Sequence, residues 1–280
     1  MKFIDFRFRP HTRPQLESLA VAFKDMLLKG RSMEEYLDAE ARPLDEIVDD
    51  LKAHDVMAAV ITGRDIETTF GSASSNDAVK GFCDEYPDIF KGFVGADPHK
   101  GGIALKEIKH RIKNEGFCGV SVDPMHACLA ANDEKYYHIY ELCDKLNVPV
   151  IITGGPSRFV DGTVIKDASP EYLDPIASDF PNLKMIISHG AWPYVNEMIC
   201  LAFRHRNVYM ELSEYETFPM SNFYIEAANT IIPDKILFAS AHPGVHYADA
   251  LKLYEQLPFK PDVLENIMWK NGAKLLGLEK

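Results

Sequence analysis

The chain has 280 residues, 46% of them hydrophobic, enough for one large domain or two small ones. Its formal charge of −12 gives a surface that repels nucleic acid and anionic membranes, so neither is expected as a partner. No apolar run reaches the length that spans a bilayer.

"FIDFRF" at 3–8 opens the chain as a strand, and alternation places Asp5, Arg7 and Arg9 on one face and Ile4, Phe6 and Phe8 on the other. A face carrying an aspartate and two arginines is either wet or lines a site. The pattern begins at once, so no signal peptide is expected. A cytoplasmic home fits the five cysteines, 83, 118, 128, 143 and 200, which form no C-x-x-C pair and read as reduced core thiols. Residues 10–42 are long for a loop after a strand. Their "LESLAVAFKDMLLKG" and "SMEEYLDAE" predict helical insertions that cap a mouth. "PLDEIVDDLKAHD" at 43–55 then sets Leu44, Ile47, Val48 and Leu51 on one helical stripe.

Strand-like runs follow at 56–62, 90–97 and 118–123. A helical segment at 134–147 has Tyr137, Tyr140, Leu142 and Leu146 among its apolar positions. The fifth run is "VPVIIT" at 148–153, and the Gly-, Pro- and Ser-rich stretch 154–170 after it is expected to be a mobile flap. "LKMIISH" at 183–189, "NVYMELS" at 207–213 and "KILFAS" at 235–240 complete eight runs. Strands alternating with helices imply parallel pairing through right-handed crossovers. Eight such units match an α/β fold, a (β/α)8 TIM barrel with a helical insertion after strand 1, as one domain over 1–280. The alternative is a doubly wound open sheet, weakened because no G-x-G-x-x-G follows a strand. No internal repeat is present.

In such a barrel the chemistry sits at the carboxyl ends of the strands. Those ends carry Arg7 and Arg9, Thr62 and Arg64, Asp97, Asp123, Thr153, His189 with Trp192 beyond it, Glu211, Ser213 and Glu214, then Ser240 and His242. His189 is the candidate base: a neutral imidazole accepts a proton near neutral pH, and neighbouring arginines would hold it neutral. Asp123 or Glu211 would orient it as further catalytic groups, or would pair with the arginines. Arg7 and Arg9 read either as a clamp for an anion or as buried cations saturated by Asp5, Asp123 or Glu211. Thr153, Trp192, Ser240 and His242 complete the expected substrate-binding set. Ser213 and Ser240 lack a G-x-S-x-G setting for a nucleophile.

Five stretches in order resemble the amidohydrolase superfamily. "IDFRFRP" stands where that family has I-D-x-H-x-H. "NVPVIITGG" is similar to its L-P-V-x-x-H-T-G, and "FPNLKMIISHGAWPYVNE" to its F-P-x-L-K-x-I-x-x-H-x-G. "KILFASAHP" matches R-I-L-F-G-S-D-Y-P, and "ENIMWKNGAKLLGL" the closing helix. The resemblance points to the branch that holds aminocarboxymuconate-semialdehyde decarboxylase, resorcylate decarboxylase and pyrone-dicarboxylate lactonase. It implies a divalent metal on two strand-one histidines, a strand-five histidine and a strand-eight aspartate, often helped by the strand-six histidine. Here those positions read Arg7, Arg9, Ile152 and Ala241, and His189 alone matches. A guanidinium has no lone pair to give, and a zinc site needs at least three N, O or S ligands. No metal and no other cofactor is therefore expected. His242 and His246 flank Pro243 and Gly244, which argues for a turn with two surface-loop histidines over a rebuilt metal site.

Three functions remain open at this point. The first is a hydrolase that opens a small carboxylate-bearing lactone or activated ester with base-activated water. The second is a lyase of a small acid, a decarboxylase or hydratase. The third is a barrel that binds an anion or serves as a scaffold. A small anionic substrate is the expected partner, and a homo-oligomer is compatible with the sequence.

Overall fold

The computed structural model describes residues 1–22, 24–156 and 162–279. Its strands are β1 (Phe3–Phe8), β2 (Val56–Thr62), β3 (Phe90–Gly95), β4 (Gly119–Val122), β5 (Val150–Ile152), β6 (Met185–Ile187), β7 (Val208–Glu211) and β8 (Ile236–Leu237). They form one sheet in sequence order, each parallel to the next. The Phe6 N–H donates to the Phe238 carbonyl at 3.0 Å, which joins β1 to the end of β8. The architecture is a (β/α)8 TIM barrel. Most strands are shorter than their apolar runs, because the last residues of a run leave the ladder and become the mouth.

The two-residue period of the strands separates two apolar layers. Ile4, Phe6, Ala58, Val60, Phe93, Ile151, Ile186 and Leu237 fill the lumen. Phe3, Ala59, Ile61, Val94, Val120, Val150, Met185 and Ile187 face the surrounding helices. Gly119 serves this packing: a Cβ there would stand 2.4 Å from the Phe93 ring on the neighbouring strand. The turn Asn266–Lys270 and the helix Asn271–Leu276 follow β8, and Gly272 lets that helix approach Phe6.

β1 departs from strict alternation. Asp5 pairs with Ala59 and Phe8 with Ile61, so three steps on β1 face two on β2. Ile4 and Phe6 share the lumen, but Phe8 joins Phe3 in the outer core. The common face expected for Ile4, Phe6 and Phe8 is corrected accordingly.

The segment after β1 is helical, as expected. Helices Arg13–Ala22, Lys24–Leu28 and Met33–Glu40 bury a small core of Leu16, Ala20, Leu28, Tyr36 and Leu37. Ser32 caps the third of these, accepting from the Glu35 N–H at 3.2 Å while the Glu35 carboxylate accepts from the Ser32 N–H at 2.8 Å. The barrel helix Leu44–Ala53 buries Ile47, Val48 and Leu51. Helix Glu134–Leu146 buries Tyr136, Ile139, Tyr140 and Cys143, a stripe rotated from the expected one.

Part of the expected flap, 157–161, lies outside the described residues. Farther along, Ile165–Ala168 and Pro170–Tyr172 are short 3-10 turns. All five cysteines are free, but only Cys143 is buried, and Cys128 and Cys200 are exposed rather than core thiols. Among the described residues no helix is long and apolar enough to cross a membrane.

Candidate active site

A cavity of about 120 Å³ opens at the carboxyl ends of the strands. Arg7, Arg9, Arg64, His126, Thr153, His189, Glu214 and Tyr215 line it, and Leu19 and Leu27 of the insertion roof it. Arg7 donates from Nη1 to Ser188 Oγ at 2.8 Å, and the same nitrogen stands 3.9 Å from Glu211 Oε1. Arg9 donates from Nη2 to Thr62 Oγ1 at 2.7 Å. Among the described residues no carboxylate comes within ion-pair distance of Arg9. Burial, with the nearby Arg7 and Arg64, pulls the Arg9 pKa well below its usual value. Guanidinium stays protonated in proteins, so this place favours an anion.

Asp123 does not serve Arg7 or Arg9 directly. Its Oδ2 accepts from Arg64 Nε at 2.8 Å, and its Oδ1 lies 3.5 Å from His126 Nδ1. Burial alone would raise the Asp123 pKa, but Arg64, His126 and Arg7 together hold it well below the usual carboxylate range. The sequence places Arg64 at a strand end without a role and does not single out His126.

His189 follows β6 in a left-handed turn, φ 58°. Its N–H donates to Glu211 Oε1 at 3.3 Å, and its Nδ1 lies 2.9 Å from the Ser213 carbonyl oxygen. A carbonyl can only accept, so Nδ1 carries the proton and Nε2 keeps its lone pair. Burial, then Arg7, lowers the His189 pKa to about 4. The imidazole is therefore neutral at neutral pH. Its orienting group is different: the Ser213 carbonyl holds the ring, not Asp123 or Glu211. Glu211, fully buried, spends Oε2 on the Ser213 N–H at 2.9 Å and ties the end of β7 to the β6 turn.

The expected substrate-binding residues divide. Arg7, Arg9 and Thr153 line the cavity. Trp192 does not line it but stacks behind Tyr215, ring centroids 5.6 Å apart, and donates from Nε1 to the Pro219 carbonyl. Ser240 turns away and donates from Oγ to Asp5 Oδ2 at 2.5 Å. His242 is buried, not a surface-loop residue. It stacks on Phe8 at 4.8 Å and its Nε2 pairs with His11 Nδ1 at 2.7 Å. His246 faces a helix start, accepting on Nδ1 from the Ala248 N–H at 3.3 Å.

The donor set does not fit the divalent metal that the family resemblance implies. Ile152 packs in the outer core, and Thr153 takes the mouth position of β5. Arg7 and Arg9 occupy the strand-one positions, and Asp123 and Glu211 are already engaged by Arg64 and by backbone N–H groups. Among the described residues no group of three or more His, Cys, Asp or Glu could hold a metal ion.

Comparison with known proteins agrees with the fold. A TIM-barrel protein of Bordetella bronchiseptica superposes with a TM-score of 0.78 at 28% identity, covering 99% of each chain. A 2,6-dihydroxybenzoate decarboxylase from Rhizobium gives 0.72 at 16% identity, covering 100% of this chain and 99% of that one. The 5-carboxyvanillate decarboxylase of Novosphingobium aromaticivorans, solved with manganese, gives 0.69 at 15% identity, covering 99% of this chain and 95% of that one. Among curated proteins none matches the chain. The Amidohydro_2 family model, described as Amidohydrolase, runs over residues 4–278, from inside β1 to past the last helix, and the chain belongs to the amidohydrolase family.

Proposed function

We propose that the protein is a lyase that decarboxylates a small carboxylate-bearing acid at the barrel mouth, using fixed cations where relatives use a metal. The carrying observation is Arg9, a buried guanidinium with no carboxylate partner among the described residues, in one cavity with the neutral His189. The decarboxylases that share this fold at low identity support the reaction class.

Arg7 and Arg9 bind the oxygens of the acid. The carbon–carboxyl bond breaks, its electron pair passes through the substrate onto an oxygen that faces a guanidinium, and carbon dioxide leaves. The pair then returns from that oxygen to the vacated carbon, which takes one proton that His189 Nε2 has drawn from solvent, and the imidazole ends neutral. A bound anion offsets the field of Arg7, so the imidazole gains that proton more readily in the complex than in the free protein.

A second reading, hydrolysis of a lactone or activated ester, is favoured by one feature. A buried, neutral imidazole whose pKa is lowered to about 4 and whose Nε2 has no partner among the described residues suits taking a proton from water better than giving one to carbon.

Hydroxybenzoic acids and lactones offered in deuterated and in ¹⁸O-labelled water separate the two. A lyase releases carbon dioxide and leaves one deuterium at the vacated carbon. A hydrolase leaves one labelled oxygen in a ring-opened acid. His189→Asn is expected to lower either rate by roughly 10²–10⁴ while the fold is kept. No turnover of any acid or ester, with anions still binding, would leave a non-catalytic barrel and overturn both readings.

A further inference from the structure

Beside the mouth lies a second cavity of about 500 Å³, between the helical insertion and the loop after β8. The two cavities share Leu27, Glu214, Pro243 and Gly244 as a common wall. Gly244 and Glu214 pack against each other there: a Cβ on Gly244 would stand 2.7 Å from Glu214 Oε1, and Glu214 itself is held at φ 69°.

The far chamber is polar and carries cations. Arg31 is engaged, paired with Glu40 at 3.1 Å and placed over the Tyr36 ring. Lys29 and Arg42 are not: among the described residues neither meets a carboxylate, and the Arg42 guanidinium donates to the Ala39 and Ala41 carbonyls. The buried His242 and its partner His11 complete the wall with imidazole edges.

We infer that this chamber holds a second anionic group of the same substrate, so that the preferred ligands are elongated diacids with one end on Arg7 and Arg9 and the other facing Lys29 and Arg42. The inference rests on the proposal that the mouth binds a carboxylate, and adds the shape and charge of what is bound.

Calorimetric titration with straight-chain dicarboxylates from succinate to suberate, each against the monocarboxylate of equal length, tests it. The expected result is one diacid length that binds at least about tenfold more tightly than its monoacid, the worth of one charge-assisted contact. The Lys29→Gln, Arg42→Gln double variant should lose that gain and keep monoacid binding. Both residues are exposed, so an unchanged melting temperature is the folding control. If monoacids bind and Arg9→Met weakens them, but no diacid gains over its monoacid, the second chamber is overturned while the mouth stands. A diacid gain that survives in the double variant also overturns it. If monoacids do not bind, or ignore Arg9→Met, the reading of the mouth falls, and this inference falls with it.

Discussion

His189 shows how little of a residue's chemistry lies in the residue itself. Its proton position is set by a backbone carbonyl, that of Ser213, and its basicity by burial and by Arg7. In the hydrolytic reading kcat/KM for the free protein should therefore fall on the acid side with a midpoint near 4, since the protonated ring cannot accept a proton, whereas in the decarboxylating reading, which needs the protonated ring, it should fall as pH rises through that value. Arg7→Met removes a cation that opposes protonation, so the midpoint should move up, toward the ordinary histidine value but short of it because burial remains. A pH–rate profile checks this, and an unmoved midpoint would deny Arg7 its electrostatic role. At this scale the sequence showed which side chains stand at strand ends and which of those are charged. It did not show who pairs with whom. The Arg64–Asp123 pair depends on loop backbones, and His11 meets a histidine 231 positions away. Neither leaves a periodic signal.

Among the elements, β1 is the one whose irregularity positions the site. Ile4 and Phe6 occupy the lumen, and strict alternation from them would send Arg7 and Arg9 outward among the helices. The extra step between Asp5 and Phe8 turns Phe8 outward, and both arginines line the mouth. All eight strands were legible from apolar runs and their breakers, because a strand covered on both faces has to be apolar throughout. The bulge was not, since nothing in "IDFRFRP" distinguishes a bulged strand from a regular one. The insertion was legible as helix, and its third helix rests on a local device. Ser32→Ala removes one side of the capping box and should cost about 1 kcal/mol. Hydrogen exchange is expected to quicken over Met33–Glu40 while the barrel amides stay protected. Equal acceleration in the strands would mean that insertion and barrel open as one unit.

For the molecule as a whole, the lumen is where volume decides stability. Gly119→Ala would drive a methyl into the Phe93 ring and should destabilise by about 1–3 kcal/mol, the usual cost of overpacking a filled core. Phe93→Leu in the same chain should restore part of that loss, and urea unfolding of the two single variants and the pair measures it. Additive losses would show that the two sites do not share one space. The lumen is closed by a modest joint. Between β8 and β1 stand the Phe6 bond to Phe238, an Arg9 N–H on the His242 carbonyl at 3.1 Å, and the Asp5 carboxylate that accepts from the N–H and the hydroxyl of Ser240. A closed barrel has no edge, and that is its protection against its own kind. Were this joint to part, β1 would present unpaired N–H and C=O groups along a ribbon bearing Phe3, Ile4, Phe6 and Phe8, a ready template for the same strand of another copy. Asp5, buried beneath the arginines, thus keeps copies of the chain from sticking to one another as well as keeping one copy shut.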